Sequence, residues 1–264
     1  MKLENARILL TGAAGGLGHE LAKQLHASGA SLLLAGRDVA KLEALRATLG
    51  PRCAVVAADL TRAEGVALVA RVARDFKVNV LINNAGASAF GLLENQPRAS
   101  IEQVLATCLE APICLTQALL PWFKALPEAV IVNVGSMFGS LPFAGFTTYS
   151  AAKAGLRAFS QALRRELADT RVAVVHIAPR AIDTAMNGEA VTALNRALKS
   201  ESDAPDAVAC EIVAALVRNA REVHLGFPER FFAWLNGFAP GLIDRGLAGK
   251  LPIVKRHAAY RQPA

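Results

Sequence analysis

Cysteine is scarce in this 264-residue chain, and the four present (Cys53, Cys108, Cys114, Cys210) lie scattered without CxxC spacing. That argues against a disulfide framework or a zinc site and reads as reduced thiols in a cytoplasmic protein with no bound metal. Although 53% of residues are hydrophobic, no uninterrupted apolar run reaches the ~18 residues of a membrane span. The opening MKLENARILL lacks signal-peptide architecture and runs straight into a glycine loop. Repeats, linkers and low-complexity segments are absent, so the length suits one α/β domain over residues 1–264. The net charge of +7 is uneven. From Gly241 onward five Lys/Arg (Arg245, Lys250, Lys255, Arg256, Arg261) stand against one acid (Asp244), which puts +4 in that stretch and leaves +3 for the first 240 residues. A basic body would suggest nucleic acid, which is therefore not expected. A basic tail, 245–264, behind an apolar segment, 227–247, suits a membrane surface, an acidic partner or simple solvation.

Short apolar runs alternate with helical stretches. Strands are predicted at Arg7 to Thr11, Ser31 to Ala35, Ala54 to Ala58, Val78 to Asn83, Ala129 to Val134 and Arg171 to Ile177, with an edge strand at Glu222 to Leu225. Helices are predicted over 18–28, 39–49, 62–75, 149–169 and 205–219, and a long one over 100–126 interrupted by Pro112 and Pro121. Repeated βαβ units of this length predict a Rossmann-like, doubly wound parallel sheet in three layers.

The first predicted strand ends in TGAAGGLG, Thr11 to Gly18, and a helix follows at once. Gly12, Gly16 and Gly18 stand where a tight turn, a close phosphate approach and helix–strand packing need them, and helix-start N–H groups would face a pyrophosphate. Further on, Tyr149 precedes Lys153 by four residues in TTYSAAKAG. That spacing puts both side chains on one helix face. A phenol titrates near 10, and bringing it close to neutrality takes ~4 kcal/mol of differential stabilisation, which a buried cation can supply. Such a tyrosine can pass a proton to or from an alcohol.

The TGxxxGxG loop, NNAG at Asn83 to Gly86, Ser136 after a strand and Tyr149-x-x-x-Lys153 occur together in an order and spacing that resemble the short-chain dehydrogenase/reductase family over residues 7 to about 185. The resemblance implies a ketone–alcohol oxidoreductase. Tyr149 would be the general acid/base, and Lys153 would tune it and hold the nicotinamide ribose. Ser136 would bond the substrate oxygen and stabilise charge developing there. Thr11, Gly12, Ala14, Gly15, Gly16, Leu17 and Gly18 would cradle the cofactor. Asn83, Ala85 and Gly86 would pass under its adenosine side, Asp59 and Leu60 would meet the adenine, and Pro179, Ile182 and Thr184 the nicotinamide end. An NAD-preferring member carries an acid at the end of the second strand; Gly36 stands there, followed by Arg37. An arginine fork binds a 2′-phosphate, so NADP(H) is expected, although Asp38 could pair with Arg37 or itself reach the ribose.

Three residues depart from the family's pattern. Cys108 stands where many members carry an asparagine of a water-linked proton relay, and a thiol is the poorer hydrogen-bond partner. Arg180 replaces the glycine after Pro179 and could recognise an anionic substrate group or face solvent. Asn79 replaces an aspartate before LINNAG, with no evident catalytic cost.

Met137, Phe138, Leu141, Phe143 and Phe146 surround the catalytic tyrosine in sequence and favour an apolar substrate such as an acyl thioester, lipid or steroid-like ketone over a polyol or sugar. Residues 185–200 are expected to form a lid. In FPERFFAWLNGFAPGLIDRGL, Phe231, Trp234, Leu235, Phe238 and Leu242 recur at helical spacing behind Pro228 and Glu229. That stripe suits a dimer or core contact, a pocket wall or an interfacial membrane helix. The resemblance also implies a homodimer or homotetramer built on the two long helices. A nucleotide-binding regulator without turnover is the reading from another class; Cys108 favours it and the intact Ser136, Tyr149 and Lys153 oppose it.

Overall fold

The computed structural model describes residues 2–258. Seven parallel strands form one sheet in the order β3-β2-β1-β4-β5-β6-β7. They are β1 Arg7–Thr11, β2 Ser31–Gly36, β3 Cys53–Ala57, β4 Val80–Asn83, β5 Ala129–Val134, β6 Val172–Ala178 and β7 Glu222–His224. The connecting helices are α1 Gly16–Ala27, α2 Val39–Leu49, α3 Ala63–Asp75, α4 Arg98–Leu105, α5 Ala111–Lys124, α6 Thr147–Glu166, α7 Glu189–Ala197 and α8 Pro205–Val217.

Alternate residues along each strand point to opposite faces, and both faces are covered. Ile8 and Leu10 join Leu21 and Leu25 of α1 and Ile212 of α8 in one core. Leu9 joins Val69 of α3, Leu115 and Phe123 of α5 and Leu163 of α6 in the other. This is the Rossmann-like, three-layered α/β architecture. Chain direction along the sheet reverses between β1 and β4, and ligands of such sheets bind in the crevice that opens there, outside the strands' carboxyl ends.

The long helix predicted over 100–126 is in fact three pieces, with a π-helical turn at Ala106–Glu110 between α4 and α5. Proline is the cause. Pro112 has no N–H to offer the carbonyl of Cys108, four residues earlier, and its ring would collide with that oxygen, so the turn widens. Pro121, by contrast, sits inside α5 without ending it. By length and composition alone residues 98–124 could cross a membrane, with a window of mean hydropathy 1.5. In the fold α5 packs on α3 and α4 on α6, and Leu115, Leu119 and Phe123 are fully buried.

The C-terminal stripe also divides. After β7 come α9 Glu229–Phe238, α10 Pro240–Ala248 and α11 Leu251–Ala258. Pro228 and Glu229 begin α9 as expected, and Pro240, in the first turn of α10, restarts the chain after a break at Ala239. Arg261 of the basic tail lies outside the described residues.

Candidate functional site

The glycine loop reaches its turn through Gly12, whose φ of +65° is open to glycine at little cost; a Cβ there would meet Ala85 Cα at 2.8 Å. Gly18 is fixed by space instead, since a Cβ would run into the Gly12 carbonyl oxygen. The loop is tied to NNAG by Thr11, whose Oγ1 accepts from the backbone N–H of Asn84 and of Ala85, both at 3.0 Å. Asn84 Nδ2 donates to Thr11 O at 3.0 Å and to Gly12 O at 3.3 Å. Gly15 caps α1 without a side-chain bond, and the first turn carries no acid. Its free N–H groups and positive dipole end therefore face outward, which suits a pyrophosphate. Ala14 and Leu17 pack on the core beneath, and Thr184 closes over Gly16, where a Cβ would stand 3.0 Å from its Cγ2.

Gly36 ends β2 and Arg37 follows it. Asp38 turns away, because its carboxylate caps α2, accepting from Lys41 N at 3.1 Å and pairing with Lys41 Nζ at 3.4 Å. Asp59 accepts from Thr61 N at 3.0 Å and Thr61 Oγ1 at 2.8 Å; these bonds, and then the Arg37 charge, hold its carboxyl below the usual range. Leu60 packs beside it on the second core.

Ser136, Tyr149 and Lys153 converge at the carboxyl ends of β5 and β6. Ser136 is bracketed by two backbone bonds to the β6 side, Gly135 N to Ile177 O at 2.7 Å and Met137 N to Pro179 O at 2.8 Å. Its Oγ accepts from Phe138 N at 3.2 Å and lies on the side of the Tyr149 hydroxyl, whose ionised form it favours. Lys153 is buried, donates from Nζ to Val134 O at 2.8 Å and stands 5.7 Å from the centre of the Tyr149 ring. The electrostatics differ from the sequence expectation. Burial pushes the Tyr149 phenol above its ordinary range, and the opposing pull of Lys153 and Ser136 does not reverse it. The resting group is thus a neutral phenol.

Cys108 is fully buried in the π turn. Its Sγ accepts from Ala87 N at 3.3 Å and donates to Ala87 O at 3.1 Å, pinning the segment just after NNAG. Pro112 leaves the Cys108 carbonyl without its helical donor, so a backbone acceptor stands at the place where the family's asparagine is expected.

An aromatic cluster packs beside Tyr149. Phe138 lies edge-on to it at 6.4 Å, stacks on Phe143 at 5.8 Å and meets Phe146 at 5.0 Å, which in turn meets Phe90 at 5.0 Å. Leu194 of α7 and Val254 of α11 close it. Met137 is buried, with its backbone engaged on Pro179. The expected lid contains α7, and Ile182, just before it, bridges to Asp203.

Arg180 is committed within the protein. Its Nε and Nη2 contact the Asp203 carboxylate at 2.8–3.1 Å, and Nη1 contacts Glu201 at 2.7 Å and Glu229 at 3.6 Å. These partners raise its already high pKa further. A substrate anion would have to compete with three carboxylates for it.

A buried polar chain under the site went unpredicted. Asn83 Nδ2 donates to Asn133 Oδ1 at 2.8 Å, and Asn133 Nδ2 donates to Ser160 Oγ at 2.9 Å. Ser160 Oγ lies 3.3 Å from His176 Nδ1. The His176 ring fills the space against Gly135, where a Cβ would meet its Cε1 at 2.5 Å. Burial drives the imidazole pKa down to about 3. A lone histidine and a lone asparagine inside apolar strands were the available signal.

A nucleotide crevice, a tyrosine–lysine–serine centre and a parallel sheet with covered faces define a dinucleotide-dependent oxidoreductase of the Rossmann type. Comparison with known proteins narrows the class. The short chain dehydrogenase family profile matches residues 6–195, and the chain belongs to the short-chain dehydrogenase/reductase family. It is 34% identical to dehydrogenase/reductase SDR family member 7B of Bos taurus over 268 residues, covering 94% of this chain and 82% of that protein. A short-chain dehydrogenase from Sphingobium yanoikuyae, solved with NADPH, is 31% identical with a TM-score of 0.77, over 90% of this chain and 95% of that one. The 3-ketoacyl-(acyl-carrier-protein) reductase of Brucella melitensis, solved with NADH, is 25% identical with a TM-score of 0.79, over 86% of this chain and 99% of that one. The chain is accordingly an oxidoreductase, and the reading of a regulator without turnover falls away.

Proposed function

We propose that this enzyme uses NADP(H) to interconvert an apolar ketone and its secondary alcohol. The observation that carries the substrate class is the aromatic cluster: Phe90, Phe138, Phe143 and Phe146 gather beside Tyr149, and Arg180, the residue expected to meet an anionic substrate group, is held by Asp203, Glu201 and Glu229. A ketone bound against that cluster would present its oxygen to the Tyr149 and Ser136 hydroxyls. The bound cofactor supplies or accepts the hydride. Tyr149 gives the oxygen its proton, Ser136 stabilises charge building there, and Lys153 positions Tyr149 and offsets the charge it acquires. Water held by the Cys108 carbonyl would relay a replacement proton to Lys153 and so back to Tyr149. The test is NADPH oxidation over unbranched ketones of graded chain length. The rate per KM is expected to climb with length by up to about fourfold for each methylene buried, at about 0.8 kcal/mol each. A flat series, or a preference for polyols, would sink the proposal.

Arg37 supports the choice of NADP(H), and Asp38, engaged as the α2 cap, no longer competes for the ribose. Arg37→Glu is expected to weaken NADPH binding about 10- to 100-fold, the scale of a charge-assisted bond lost and reversed, and to leave NADH binding nearly unchanged. Equal losses for both cofactors in a fluorescence titration would overturn the assignment. We further propose a cytoplasmic homodimer or homotetramer built on α4–α5 and α6, supported by the four free thiols and by Leu105 exposed on α4.

A further inference from the structure

Helix α9 is amphipathic the wrong way round. Two of its three polar residues face the protein: Glu229 meets Arg180, and Asn236 Nδ2 donates to Ser140 O at 3.1 Å. Its aromatic residues face away. Phe231, Trp234 and Phe238 are 49%, 59% and 76% exposed, and Phe227, just ahead of the helix on the same stripe, is 69% exposed. They stack on one another, Phe231 on Trp234 at 6.0 Å and Trp234 on Phe238 at 5.1 Å, and Leu242 of α10 extends the patch at 56% exposed. A helix of a free-standing soluble protein buries such a face, so this one is built to be covered.

Charge decides by what. Arg230, Arg245, Lys255 and Arg256 on these three helices and Lys250 between α10 and α11 are all exposed, and none of them makes an ion pair among the described residues. Against them stand Asp244, exposed, and Glu229, already engaged by Arg180. A two-fold contact with a second copy would bring these five cations against the same five. An anionic lipid surface meets both features at once, taking aromatic rings into its interface and pairing headgroups with the cations.

We propose that α9 and α10 dock this enzyme on an anionic lipid bilayer, with Phe227, Phe231, Trp234 and Phe238 inserted and the basic residues of α9 to α11 on the headgroups. The same C-terminal cap packs on the aromatic cluster, since Val254 of α11 is buried against Phe146 and Leu194. Docking would thus bring that cluster toward the bilayer, a consequence that alone rests on the apolar-ketone reading; docking itself is measured without turnover.

The experiment is co-sedimentation of the full chain with phosphatidylcholine vesicles, with and without phosphatidylglycerol, together with tryptophan emission and native mass by light scattering. Binding is expected only with phosphatidylglycerol, weakened by salt and accompanied by a blue shift from Trp234. Trp122, bonded to Val78 O at 2.7 Å, supplies a constant background. The variant Phe231→Ser/Trp234→Ser/Phe238→Ser should lose at least about tenfold in vesicle affinity while keeping NADPH binding and native mass. Absence of binding to anionic vesicles would overturn the proposal. So would a halved native mass in the variant, which would show that a second copy covers the face.

Discussion

Tyr149→Phe is expected to lower the turnover number for ketone reduction by roughly 10²- to 10⁴-fold while leaving NADPH affinity within about twofold. The substitution removes one hydroxyl. The ring keeps its edge contact with Phe138 and its place beside Lys153, so cofactor binding and fold should persist. What is lost is the hydroxyl beside Ser136 that, on the proposed mechanism, delivers a proton to the ketone oxygen. Steady-state assay and fluorescence titration on one preparation separate the two effects, and a variant within tenfold of the parent would refute the assignment. The parent's pH profile follows from the same residue. Because burial holds the phenol above its ordinary pKa of about 10, ketone reduction should stay level through neutral pH and fall only in strong alkali. A profile already falling by pH 7 would mean that Lys153 outweighs burial once the cofactor is bound.

The second large effect is on stability. His176 titrates near 6.5 in the unfolded chain and at about 3 in the fold. Between those values the unfolded chain holds the extra proton, so acid draws the protein toward unfolding. The contribution is present above pH 6.5 and is lost as pH falls toward 3, amounting to roughly 3 kcal/mol between pH 7 and pH 4. Urea unfolding at the two pH values should show this loss in the parent and a correspondingly smaller one in His176→Gln, whose amide can still reach Ser160. Equal losses in the two proteins would show that His176 is not the acid trigger and that carboxylates elsewhere dominate.

Much of the frame could be read from local signals. β1 and α2 begin and end at the predicted residues because each is bounded by its own chemistry: a glycine loop closes β1, and Asp38 and Gly50 flank α2. The tyrosine–lysine–serine centre was legible for the same reason, being a matter of spacing along one helix and one strand end. Other features depend on what lies across space. Arg180 could be placed near the nicotinamide end from its position after Pro179, but only the fold shows Asp203, Glu201 and Glu229 gathered round it. The depressed basicity expected of Tyr149 rested on Lys153 alone; the weight of burial is a tertiary quantity. Pro112 was seen as an interruption, yet the widened turn and the freed Cys108 carbonyl are its three-dimensional outcome.

The contact between His176 and Gly135 also constrains the order in which this site can change. A side chain at 135 cannot be accepted while the imidazole stands 2.5 Å from where its first carbon would be, and Ser136, the next residue, would be displaced with it. Serine or alanine at 135 therefore calls for a smaller residue at 176, and the new carbon would still stand 3.2 Å from the Ile177 carbonyl oxygen, which has to give way as well. Single-substitution scans will accordingly see only one side of a coupled pair.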